Sequence, residues 1–152
     1  MFPMQGARNP VPFLRTRFDE GPGVFSPDGR WVAYVSDETG RFEVYVRSFT
    51  ASPGAGEGGG RWIISKDGGL GPKWRDDGKE LAYVDLKGAV MAVGVDTGTS
   101  VQAQTPRELF QMPVGSNALA PTGDLKRFLI PVPVEQKTPQ AFTVMLNWTS
   151  ML

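Results

Sequence analysis

Two hydrophobic patterns alternate with turn signals along this chain. Residues 31–36 (Trp31, Val32, Ala33, Tyr34, Val35, Ser36) are apolar on both faces of an extended backbone, the pattern of a central strand covered from either side. Phe42, Val44 and Val46 instead alternate with Glu43, Tyr45 and Arg47, which predicts a neighbouring strand nearer the surface. Residues 37–40 fit the hairpin loop between them, and residues 61–65 predict a fourth strand after a Gly-rich connector over 50–60. Ahead of the first run stands Phe25-Ser26-Pro27-Asp28-Gly29-Arg30. Pro27 presets φ, the Asp28 side chain can bond its own backbone, and Gly29 can take the left-handed conformation, so this stretch predicts a tight turn between two strands.

The pattern then restarts. Lys73, Trp74, Arg75, Asp76, Asp77, Gly78 and Lys79 lead into the apolar run Leu81, Ala82, Tyr83, Val84, with a third strand expected over residues 90–95 and a fourth over 107–111. A third copy reads Ala120, Pro121, Thr122, Gly123, Asp124, with its turn altered, before Phe128, Leu129 and Ile130, and its third strand is expected over 141–148. Taking Gly29, Gly78 and Gly123 as the turn glycines, the spacings are 49 and 45 residues. That period, with four strands per complete unit, is the mark of propeller blades, whereas a single sandwich would show evenly spaced strands without a restarted motif.

The expected fold is therefore all-β, built of β-propeller blades of four-stranded antiparallel sheets: blade 1 over 24–66, blade 2 over 71–111 and an incomplete blade 3 over 116–148. Residues 1–8 form a flexible leader, and residues 9–16, with Pro10 and Pro12, a closing strand restricted to an edge. Three blades cannot close a ring and amount to half of a six-bladed propeller. Either the chain is part of a longer propeller, or two copies pair as a homodimer in which the N-terminal strand of each completes the unfinished blade of the other.

Composition narrows the chemistry more than it directs it. The chain has 152 residues, 16 basic and 16 acidic side chains, and neither cysteine nor histidine. The balanced charge offers no general attraction for nucleic acid or an anionic membrane. Without His or Cys there can be no Ser-His-Asp triad, Cys-His pair or His/Cys zinc site within this sequence. No metal or cofactor is expected. Nor does the N-terminus carry the apolar core of a signal peptide, and no apolar run reaches 18 residues. The chain as given is expected to be soluble and cytoplasmic, or periplasmic if it belongs to a longer exported protein.

Residues 25–49 (FSPDGRWVAYVSDETGRFEVYVRSF) and 72–85 (PKWRDDGKELAYVD) resemble the repeats of TolB-type β-propellers, which are related to WD repeats, and residues 144–152 (VMLNWTSML) resemble the C-terminal end of bacterial proteins that carry such propellers. The resemblance runs from Phe13 to the C-terminus, with the first two motifs its strongest part and the third a departure. It implies a non-catalytic protein-interaction or sensor module that binds a protein or peptide. Some such bacterial proteins are serine/threonine kinases with a C-terminal propeller, so the alternative is the propeller portion of a larger enzyme, that sensor region or the gating propeller of a serine peptidase.

Several motifs dissolve on inspection. Gly54 to Gly59 matches G-x-G-x-x-G, but the strand-like Trp62-Ile63-Ile64 follows, so no helix N-terminus is at hand for a pyrophosphate. The pairs Asp76/Asp77 and Asp19/Glu20 point apart in an extended chain and suit turn or solvation roles better than catalysis or calcium. Trp31, Trp62, Trp74 and Trp148 are expected in packing between blades, with Trp74 nearest a central channel. What remains is a rim. The usual blade layout brings the loops between second and third strands (Asp37, Glu38; Asp85, Lys87) to the same end as the loops between blades (Arg17, Asp19, Glu20; Lys66, Asp67), and these mixed charges, with Trp74, are the candidate binding residues, suited to polar recognition.

Overall fold

The computed structural model describes residues 12–49, 60–98 and 100–133. Over these residues the chain is all-β, without a helix, in three antiparallel sheets. The first holds β1 (Val24–Phe25), β2 (Trp31–Ser36), β3 (Glu43–Ser48) and β4 (Arg61–Ile63) in sequence order. The second holds β5 (Leu70–Trp74), β6 (Glu80–Val84), β7 (Ala89–Thr97), β8 (Val101–Ala103) and β9 (Arg107–Gln111), and the third the short pair β10 (Ala120–Pro121) and β11 (Phe128–Leu129).

The sheets stack in series. Because successive side chains point to opposite faces, Trp31, Ala33 and Val35 leave β2 on one side, where with Val44 and Val46 they meet Leu81, Tyr83, Val93 and Val95 of the second sheet in one buried cluster. Each Val or Leu among them, fully buried, contributes about 1.5–3 kcal/mol. The opposite side of the first sheet carries Val32, Tyr34 and Tyr45, covered in part by Phe13, Leu14 and Phe49. The second sheet repeats the arrangement: Leu81 and Tyr83 face back to the first sheet, so Ala82 faces forward, and Phe110 of β9 meets Phe128 of β11 with ring centres 5.1 Å apart.

The strand register makes the units comparable. Phe25 pairs with Val32, Trp74 with Leu81 and Pro121 with Phe128. Ala33, Ala82 and Leu129 are then equivalent forward-facing positions. The first two are wholly buried, Ala33 against the second sheet, and Leu129 is 76% exposed.

Three expectations change. β3 is as buried as β2, with Glu43 and Arg47 nearly inaccessible, because the sheet is covered on both faces; Phe42, expected inside, precedes the strand and is exposed. The third strand of the second unit runs to Thr97 rather than stopping at 95, and its two halves take different partners, β9 on Ala89–Ala92 and the unforeseen β8 on Val95–Thr97. The turn of the third unit is two residues later than its glycine suggested: Leu125 (φ 56°), not Gly123, takes the left-handed position held by Gly29 (φ 70°) and Gly78 (φ 70°). Turn positions thus recur at intervals of 49 and then 47 residues. Residues 12–16, the described part of the expected closing strand, pair with no strand among the described residues, and Phe13 and Leu14 pack on the back of the first sheet. Residues 9–11, the connector with Gly54 to Gly59, and the strand expected over 141–148 lie outside the described residues.

Candidate functional site

The three turns share one wiring scheme at one end of the sheets. In the first, the Ser26 hydroxyl donates to Asp28 Oδ1 (2.6 Å), the Arg30 amide donates to the same oxygen (3.1 Å), and the Trp31 amide donates to Ser26 Oγ (3.0 Å). Thr122 and Asp124 repeat this with the Lys126 and Arg127 amides, and Asp77 does so with the Lys79 amide and the Arg75 guanidinium. The carboxyl groups respond as acceptors in such turns should. The Ser26 hydroxyl foremost lowers Asp28 to about 2, Arg75 lowers Asp77 to about 2, and Thr122 holds Asp124 below its ordinary value. These aspartates are engaged in backbone work. The turns also touch: the Asp76 amide donates to Gly123 O (2.8 Å), and an open cleft of about 1020 Å³ lies among Ser26–Arg30, Asp76–Lys79 and the β7–β8 hairpin.

The candidate rim residues gather at the other end. Asp19 and Asp37 are tied by two bonds, Asp19 N–H to Asp37 Oδ1 (2.9 Å) and Asp37 N–H to Asp19 O (3.3 Å). Glu20, which accepts from Thr16 Oγ1 (2.7 Å), bridges to Ser36, so the loop before β1 runs on along β2 instead of lying free. Arg17 lies over the Phe18 ring. Glu38 is paired with Arg61, and Asp67 with Arg41 at 3.4 Å. Asp85 accepts from the Lys87 and Ala89 amides (both 2.8 Å) and so fixes the β6–β7 turn. Lys66 and Lys87 are exposed and make no ion pair among the described residues. Trp74, by contrast, is buried between the first and second sheets.

One buried group, treated in the sequence as an ordinary polar strand position, organises this rim. Glu43 is 3% exposed. Its Oε1 accepts from Arg41 Nε (2.6 Å); its Oε2 accepts from the Ser65 hydroxyl and from the Gly68 amide (3.0 Å), while Ser65 Oγ accepts from the Val44 amide (2.8 Å). A single carboxylate therefore bolts the 65–68 loop to β3. It could not be found from the sequence, because its partners lie 22 and 25 positions away. In the second sheet Glu80 has a comparable place, held by Arg75 (2.6 Å) and Arg107 (2.7 Å).

The rim is also less polar than its charges suggested. Phe42, Leu70 and Leu86 are 38%, 40% and 50% exposed. They belong to one short stretch: the Gly69 amide donates to Phe42 O (2.9 Å), Leu70 follows in the chain, and Leu86 lies so close over Gly68 that no Cβ would fit there. Among the described residues no group of three or more His, Cys, Asp or Glu is placed to hold a metal ion, and no helix is long and apolar enough to cross a membrane.

No protein-family model matches this chain, and no curated protein matches it.

Proposed function

We propose that the chain is a non-catalytic β-propeller module for binding a protein or peptide, in which two copies join their stacked sheets into one six-bladed ring. The observation that carries this reading is Leu129. At the equivalent position Ala33 the next sheet covers the side chain completely, and Ala82 is likewise 0% exposed, whereas Leu129 stands 76% exposed on the last described sheet. A repeat stack that leaves a large apolar side chain where its other units have a neighbour invites one more sheet. The back of the first sheet, with Val32, Tyr34 and Tyr45, has the same design as the back of the second, with Leu81 and Tyr83, which receives a preceding sheet. In this reading Phe13 and Leu14 accompany the junction between copies.

The rim of loops 37–42, 65–69 and 85–88 is the contact surface, since it is held rigid by Glu43 and Asp85 and presents side chains outward. The carboxylates Asp28, Asp77 and Asp124 serve turns, which favours a scaffold over an acid–base catalyst. The runner-up is the propeller portion of a larger protein, a kinase sensor region or a peptidase gate, in which a further stretch of the same chain supplies the next sheet.

Light scattering of the purified chain at micromolar concentration tests ring closure: a mass of two chains is expected, reduced to one by Leu129→Glu. A mass of one chain for the unaltered protein refutes the dimer. The binding role is tested by reversing the charges of Asp19, Glu20, Lys66 and Asp67 together; a native-extract pull-down left unchanged by this removes the rim from the reading.

A further inference from the structure

Resting on the reading that two copies close one ring, we infer that the closing junction is keyed by an ion pair between Arg47 of one copy and Asp124 of the other. Each group stands without a charged partner at its own end of the stack. Arg47 is 7% exposed, its Nε has no hydrogen-bond partner, and its guanidinium makes no ion pair among the described residues. Neutral orphans such as Trp31 Nε1, Trp74 Nε1 and the Tyr83 hydroxyl occur between the first and second sheets too, but a buried guanidinium without a carboxylate costs far more. Arg47 is the ladder partner of Val32 and shares with it, Tyr34 and Tyr45 the back of the first sheet. In the second sheet the ladder partner of the equivalent Leu81 is Val93, packed against the first sheet. A closed junction within the chain thus has an apolar residue where the open back of the first sheet has a cation.

At the other end of the stack stands Asp124. In the first two turns the second carboxylate oxygen is taken by an arginine of the same unit, Asp28 Oδ2 by Arg30 Nε (2.7 Å) and Asp77 Oδ2 by the Arg75 guanidinium (2.9 Å). Asp124 uses Oδ1 for the Thr122 hydroxyl and the Lys126 amide, and its Oδ2 has no partner among the described residues. The repeat brings the two orphans together. The Ser26–Arg30 turn of the first unit and residues 94–98 of the second line one cleft, so a turn carboxylate lies across from the residues that directly follow Val93. Matching the pairs Phe25 with Val32, Trp74 with Leu81 and Pro121 with Phe128 makes Asp124 the counterpart of Asp28, and Arg47 the counterpart of Val93. A second copy seated by the same stacking carries its Asp124 to the residues that follow Arg47, within the span of a long side chain. Lys126 and Arg127 flank Asp124, and Glu20, Glu38 and Arg61 lie near Tyr34 on the back face. The pair is therefore set by position rather than by net charge, and a charge swap reads it.

The test measures the dimer dissociation constant of the full chain by analytical ultracentrifugation. Asp124→Asn, which keeps the oxygen used by the turn, Asp124→Arg and Arg47→Met are each expected to weaken association about tenfold or more. Asp124→Asn combined with Arg47→Met should associate no more weakly than either alone, and Arg47→Glu combined with Asp124→Arg should recover most of the parent affinity. Asp28→Asn, the same change in a turn at a closed junction, should leave the constant unaltered. Asp124 is exposed in the single chain, so its variants are expected to keep the parent's circular dichroism and to decide the matter even if Arg47→Glu does not fold. A dimer whose constant is unchanged in Asp124→Asn and Asp124→Arg, is tightened by Arg47→Met, or shows strictly additive losses overturns the ion pair and leaves the ring standing. A parent of one-chain mass overturns the ring, and the pair with it.

Discussion

Replacing Glu43 tests whether one buried carboxylate holds the loop rim to the sheets. In Glu43→Ala, three donors lose their acceptor: Arg41 Nε, the Ser65 hydroxyl and the Gly68 amide. Arg41 is half exposed and can return to water, so it adds little. Ser65 and Gly68 are buried, and each buried donor left unsatisfied costs about 1–3 kcal/mol. Relief of the carboxylate's own desolvation offsets part of this. The net expectation is a loss of about 3 kcal/mol, and about 1–2 kcal/mol for Glu43→Gln, which keeps one acceptor oxygen.

With a urea slope of about 1–3 kcal/mol per molar for a domain of this size, the unfolding midpoint of Glu43→Ala should fall by roughly 1–3 M. Glu20→Ala, which loses one exposed bond to Thr16, should stay within about 0.5 kcal/mol of the parent. Amide exchange adds a local readout: the Gly68 amide should lose protection in Glu43→Gln while the amides of β6 keep theirs. Equal midpoints for Glu43→Ala and Glu20→Ala would refute the argument, since burial and bonding would then have made no difference.

Further expectations concern the turns. Gly29 has φ 70° and no atom within 4 Å of where a Cβ would stand, so Gly29→Ala should cost about 1 kcal/mol through backbone strain alone, measured as a urea midpoint shift. Asp28 and Asp77 have carboxyl groups lowered by folding, so their stabilisation is complete above the unfolded value near 3.8 and is lost as pH falls towards about 2. Urea midpoints across that window should fall less steeply in Asp28→Asn with Asp77→Asn than in the parent. Leu125 is buried and left-handed at once, so Leu125→Gly should destabilise: the lost apolar burial, about 2 kcal/mol, outweighs the relief of strain, and differential scanning calorimetry should show a lower Tm.

Much of this architecture is local and therefore readable in one dimension. The turn at Ser26-Pro27-Asp28-Gly29 is set by side chains bonding to amides two and five residues away, and the restart at Arg75-Asp76-Asp77-Gly78 obeys the same chemistry. The antiparallel ladders of β2 with β3 and of β6 with β7 follow from apolar runs joined by short turns. Even the convergence of Asp19, Asp37, Asp67 and Asp85 on one rim follows from antiparallel connectivity, since alternate loops must emerge at the same end.

Where local chemistry was ambiguous, the tertiary structure decided. Gly123 looked like the turn residue of the third unit because glycine favours positive φ, yet the ladder of β10 with β11 assigns that conformation to Leu125 and aligns Asp124 with Asp28 and Asp77. Alternation placed Glu43 and Arg47 towards solvent because period-2 patterning distinguishes two faces without saying whether both are covered, and stacking of the sheets covers both. The exposure of Phe42, Leu70 and Leu86, and of Leu129 beyond the last described sheet, is likewise invisible in composition. The sequence by itself determined the strands, their turns and their repetition, because these depend on neighbours a few residues away. Which faces meet, which carboxylate becomes a bolt and which apolar groups remain uncovered depend on contacts between units separated by dozens of residues, and only the folded chain supplies those.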